Sequence, residues 1–260
     1  MRVLLDIGRR SLGRFLELEG FDRSMALAGQ AFATLLPLMI VFGTVAQGES
    51  DELAEDLIER LDLSGSAADT LRETVSQPPE SGLSIVGGVL LVISALSFTR
   101  AMQRMYVRAW RLEPLGLQGN VWGLLWLAVF IAFWSLQPAV VALFQGVLAF
   151  AVSLAISTLL WLWTPWLLLA RRIPWRRLLP QAILTAVGMA ALAVGAAIYL
   201  PRAVSSASAE FGILGVAFTL LSLLFAISFV LVVTAALGAT LAESPRLGDV
   251  RPPTRGDDDP

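Results

Sequence analysis

Long apolar runs alternate with short polar segments along this chain, and that alternation predicts its elements. Six runs, at 24–46, 83–99, 121–145, 147–170, 178–200 and 211–242, hold no Asp, Glu, Lys, Arg or His. About 20 apolar residues in helix cross the roughly 30 Å hydrocarbon core of a bilayer. The expected fold is therefore all-α, a polytopic transmembrane bundle of six spans occupying 24–243. Gly146 beside Gln145 marks the turn between the third and fourth spans.

The polar segments carry patterns of their own. Residues 1–23 repeat on a helical period, with Leu5, Leu12, Phe15 and Leu16 on one side and Asp6, Arg10, Arg14 and Glu17 on another. Such a segment reads as a cytoplasmic amphipathic helix lying at the membrane interface. Segment 47–82 holds ten acidic residues and two arginines, and its period predicts two short helices at 51–61 and 66–76 in an acidic extracytoplasmic loop. The tail 244–260 has four prolines and no apolar period, so a disordered cytoplasmic end is expected.

Charge orients the threading. All nineteen basic residues are arginine, which fits a GC-rich bacterial genome, and sixteen of them fall on one side once six spans are drawn. Arg60, Arg72 and Arg202 are left for the other side. Arginine-rich short loops stay in the cytosol, so both termini of a multi-pass protein are expected there. Trp110, Trp122 and Trp126, with Trp161, Trp163, Trp166 and Trp175, would form an aromatic belt on that inner face. Composition agrees: the chain is 56% hydrophobic and 15% charged, with a mean hydropathy of +0.72.

The same composition narrows the chemistry. With no Cys and no His the chain lacks disulfides, thiol chemistry, the commonest metal ligand and the usual general base, so no enzyme, no metal and no cofactor are expected. What the spans offer is neutral polarity. Gln30, Thr34 and Pro37 are spaced by four and three, sharing one face of the first span, and Pro37 leaves the Ala33 carbonyl without its helical donor. Together with Gln181 and Thr185 they are the candidates for a substrate groove, the plainer alternative being hydrogen bonds between helices. Small residues form two stripes, Gln181, Thr185, Gly188, Ala191 and Gly195 in the fifth span and Gly212, Gly215, Thr219, Ser222 and Ala226 in the sixth. Close helix packing is their expected role, the alternative being a groove that admits a lipid or solute. A homo-oligomer of the chain is left open.

Arg100, Arg104, Arg108 and Arg111 share one side of a helix that extends the second span, and Arg176 and Arg177 open the fifth. Anionic lipid headgroups of the inner leaflet are the expected partners, at about 1 kcal/mol per arginine near the surface, the plainer alternative being a solvated positive-inside anchor. Nucleic acid is not expected, because Tyr106 and Trp110 are accounted for by the interface.

Four segments carry a family resemblance. MALAGQAFATLLPLMIVFGTV (25–45), LSFTRAMQRMYVRAWRLE (96–113), IPWRRLL (173–179) and the stretch 212–243, with its GILG start and ALGATLAE end, resemble the YihY/BrkB family of bacterial inner-membrane proteins. The resemblance implies a membrane transporter, one branch of that family being linked to lipid export. It also carries an older ribonuclease label, which the absence of His and of a carboxylate cluster on the basic side argues against. The expected function is thus transport or export of a lipid-like amphiphile; the alternative is a non-transporting scaffold that organises envelope proteins.

Overall fold

The computed structural model describes residues 2–45, 55, 58, 65, 68–69, 81–116, 118–141, 143–144 and 146–243. Among them are seven long helices and no strand: α1 (Arg2–Glu17), α2 (Gly20–Val45), α3 (Ser81–Ala109), α4 (Gln118–Val141), α5 (Gly146–Leu168), α6 (Trp175–Phe211) and α7 (Ile213–Glu243). Four stretches are long and apolar enough to cross a membrane, Val86–Ala109, Leu148–Leu168, Trp175–Phe211 and Ile213–Glu243, and Gly119–Phe133 is a shorter apolar helix. The helices expected at 51–61 and 66–76, and the tail 244–260, lie outside the described residues apart from isolated positions.

Two helices outrun the apolar stretches that predicted them. α3 continues to Ala109 because the sequence after Thr99 keeps a helical period: Ala101, Met102, Met105, Tyr106 and Ala109 are buried, while Arg100, Arg104 and Arg108 stay exposed. α6 runs for 37 residues, roughly 55 Å, through Pro180 and Pro201, and ends where Gly212 turns to φ +60° and gives its N–H to the Ser208 carbonyl.

α6 and α7 form an antiparallel hairpin whose register is set by small residues. A Cβ placed on Gly238 would lie 2.8 Å from the Gln181 Cα, and one on Gly188 would lie 2.8 Å from a Val230 methyl. At the hairpin tip Gly215 leaves room for the backbone of Ala207. Between these contacts the Thr185 hydroxyl donates to that of Thr234 at 2.8 Å. The same device joins α3 to α4, where Gly123 admits the Thr99 methyl and Gly119 admits the Gln103 amide.

The core sits at one end. Buried apolar side chains cluster from Ala101 to Trp110 on α3, Leu167 to Leu169 at the end of α5, Leu178 on α6 and Leu231 to Ala239 on α7, with Phe15 and Leu18 of the amino-terminal segment. Toward the other end Val86, Val89, Val194, Ile198 and Phe218 are exposed, as side chains solvated by lipid would be.

α1 meets this core by a different face from the one its leucines suggest. Ser11, Arg14 and Phe15 are buried, whereas Leu12, Leu16 and Phe21 are exposed. Phe15 packs edge-on against Phe21 and Phe229, with ring centroids 5.4 and 5.7 Å apart, so Phe15 and Arg14 face inward while Leu12 and Leu16, expected on the side of Phe15, do not.

Candidate functional site

At the packed end the helix termini and turns bring the arginines together. Four residues other than glycine there adopt the left-handed conformation: Glu19 between α1 and α2, Arg111 after α3, and Ala170 with Arg171 after α5. α3 closes with the Leu112 N–H on the Val107 carbonyl and the Arg111 N–H on that of Arg108, the paired bonds of a Schellman end. Arg111 therefore leaves the helical face that carries Arg100, Arg104 and Arg108, correcting the single four-arginine face expected from spacing.

Most of these cations have partners. Arg14 donates two hydrogen bonds to the Glu243 carboxylate, at 2.6 and 2.8 Å, tying α1 to the end of α7. Arg111 donates to Glu17 at 2.7 Å, and that carboxylate raises the Arg111 pKa above its ordinary value. Arg108 lies 3.7 Å from Glu19, and Arg100 donates to the Asn120 side chain at 3.0 Å. Arg172 donates to the Glu113 carbonyl at 2.8 Å, joining the turn after α5 to the loop after α3. Arg23 is pushed to a lower pKa by its burial and next by the Arg108 charge. A cleft of about 290 Å³ lies among α1, Arg111 and the end of α7. Arg104, Arg176 and Arg177 are exposed, with Arg176 over the Trp175 ring.

The intramembrane candidates separate into two groups. On α2 the Thr34 hydroxyl donates to the Gln30 carbonyl at 2.8 Å, and Pro37 is buried within the helix. The Gln30 Oε1 is buried and accepts no hydrogen bond among the described residues. A buried acceptor left unpaired costs about 1–3 kcal/mol, so its presence on a proline-broken helix calls for a physical reason.

Gln181 and Thr185 are instead satisfied by packing. Gln181 is 1% exposed, and its Oε1 accepts from the Trp110 indole at 3.0 Å, while Thr185 pairs with Thr234. Neither lines an open groove in this conformation. Of the stripe residues, Gly188 and Gly215 meet the facing helix closely, and the half-buried Thr219 turns its hydroxyl back to the Gly215 carbonyl. Gly195 and Gly212 have open space where a Cβ would stand, and Ser222 is exposed.

The structure adds polar links that spacing alone did not single out. Gln103 donates to the Leu168 carbonyl at 2.9 Å, and the Trp126 indole donates to the Thr164 hydroxyl at 3.1 Å. Gly238 and Thr234 continue the α7 stripe beyond Ala226 at intervals of four through Val230, a signal readable once Val230 is admitted to the series.

A family model described as Virulence factor BrkB matches residues 11–257. No curated protein and no solved structure matches the chain.

Proposed function

Because the chain belongs to the Virulence factor BrkB family and is an integral membrane protein, we propose that it moves a lipid-like amphiphile across the bacterial inner membrane. The observation that carries this reading is the Gln30 Oε1, a buried acceptor without a donor among the described residues, on the helix that Pro37 interrupts. A substrate hydroxyl, amide or ammonium would supply the missing hydrogen bond. Because the acceptor is enclosed, that donor reaches it when α2 shifts, and the lost bond at Pro37 gives α2 a place to bend.

The reading threads α2 to α7 as six spans, with α1 at the interface and both termini in the cytosol. Its support is that the arginines of every described turn at the packed end fall on one side, the side the positive-inside rule assigns to the cytoplasm. Arg104, Arg176 and Arg177, exposed there, would gather anionic headgroups, with Arg100, Arg108 and Arg111 contributing what their protein partners leave free. The scaffold alternative draws on a specific observation too: Gln181 and Thr185 are locked in contacts between helices rather than turned to a groove. Neither reading uses a nucleophile or a metal.

Reconstitution into liposomes separates the two. Flipping of a fluorescent phosphatidylglycerol is followed by dithionite bleaching of the outer leaflet. Wild-type protein is expected to expose the inner-leaflet probe faster than protein-free liposomes, and the Gln30→Leu, Thr34→Val double variant, inserted at equal abundance, to fall to the protein-free rate. Wild-type protein no faster than empty liposomes would overturn the lipid-transport reading. Full activity in the double variant would remove the assignment of the site.

A further inference from the structure

Arg171 lies in the turn between α5 and α6, apart from the arginine faces of α3 and α6. Its guanidinium stands over two indoles, 4.6 Å from the Trp166 ring centre and 5.2 Å from that of Trp122. A guanidinium held over aromatic faces still has N–H groups to give to an acceptor. Among the described residues none supplies one, whereas Arg14, Arg108 and Arg111 each face a carboxylate and Arg172 is bound to the Glu113 carbonyl.

The turn that presents Arg171 is closely defined. Ala170 gives its N–H to the Leu167 carbonyl and Arg171 to that of Trp166, both at 2.9 Å, while Ala170 and Arg171 have φ of +52° and +62°. Two consecutive L-residues in the left-handed region are held there by these bonds and by the Arg172 link to the loop after α3. The result is an arginine that is exposed, oriented and, among the described residues, without an acid.

We propose that Arg171, braced by Trp122 and Trp166, binds the phosphate group of an anionic phospholipid in the leaflet at the packed end of the bundle. A phosphate presents two oxygens at the spacing of a guanidinium edge, and indoles favour the headgroup layer where such phosphates lie. The lipid is favoured over free phosphate because Trp166 lies two residues from the end of Leu148–Leu168, a stretch long and apolar enough to cross a membrane, and a helix that spans the hydrocarbon core carries its ends to the headgroup layer. This assignment stands whether the protein transports or scaffolds, since it concerns a lipid bound at a fixed turn and needs no movement of α2.

Native mass spectrometry of the detergent-purified full chain, titrated with phosphatidylglycerol or phosphatidylcholine, tests it. Wild-type protein is expected to retain phosphatidylglycerol preferentially. Arg171→Gln is expected to bind it about fivefold more weakly, the worth of one arginine at an anionic surface. Arg171→Lys, which keeps the charge and loses the planar edge, should also fall short of wild type. Retention of phosphatidylglycerol unchanged in both variants would overturn the proposal. Inorganic phosphate added in excess should leave the bound lipid in place; displacement of the lipid would assign the site to a soluble phosphate instead and overturn the lipid source. If either variant fails to fold, wild-type tryptophan fluorescence decides: brominated phosphatidylglycerol should quench it more than brominated phosphatidylcholine, and equal quenching would overturn the site.

Discussion

Arg14 is 5% exposed, and what keeps a cation there is the pair of short hydrogen bonds to Glu243. The carboxylate is itself 54% exposed, so the pair is anchored on one side and wet on the other. Glu243→Ala would strip a buried guanidinium of its acceptor, at a cost of about 2 kcal/mol, below the roughly 3–5 kcal/mol of a fully buried pair. A lowered melting temperature in detergent should report it. Glu17→Ala, which removes the partner of exposed Arg111, should leave melting nearly unchanged, because exposed pairs contribute little. Gln30 and Gln181 show why such roles were only half legible in the sequence. Both are amides in an apolar run, yet the Trp110 indole satisfies Gln181 from 71 positions away, and the Gln30 oxygen is left unpaired. No local period encodes which of them a distant donor will reach.

Helices were legible where lipid or core demanded apolar side chains, and their ends were not. α3 extends past Thr99 because its arginines and its methionines occupy opposite faces, so polarity there marks a side and not a terminus. The orientation of α1 was hidden for a related reason: its apolar residues cover more of the helix than one contact can bury, and packing against Phe229 brought Phe15 inside and left Leu12 and Leu16 out. The hairpin of α6 and α7 gives the sharpest expectation at this scale. Gly238→Leu would drive a side chain into the backbone of Gln181, and overpacking of this kind costs about 1–3 kcal/mol. Gly195→Leu meets open space and should be tolerated. Yield and melting temperature of the two variants should therefore differ, although both glycines lie in stripes of small residues.

For the molecule as a whole, the contrast between its two ends carries the functional reading. Indole, amide and guanidinium groups lock helices together where the arginines gather, and exposed Val86, Val194 and Phe218 mark the looser half. α2 spans the transition: Leu27 and Ala28 are buried, and the unpaired Gln30 follows within a turn. Membrane character was plain from hydropathy, whereas the concentration of buried contacts at one end arises from tertiary pairing that no single segment displays. The gathering of inner-leaflet headgroups proposed for Arg104, Arg176 and Arg177 requires that this packed end face the cytosol. The chain has no cysteine, so single-cysteine variants can be labelled without background. In intact cells treated with a membrane-impermeant maleimide, Arg202→Cys should react while Arg104→Cys and Arg176→Cys react after the membrane is permeabilised. Labelling of Arg104→Cys or Arg176→Cys from the outside of intact cells would contradict the account.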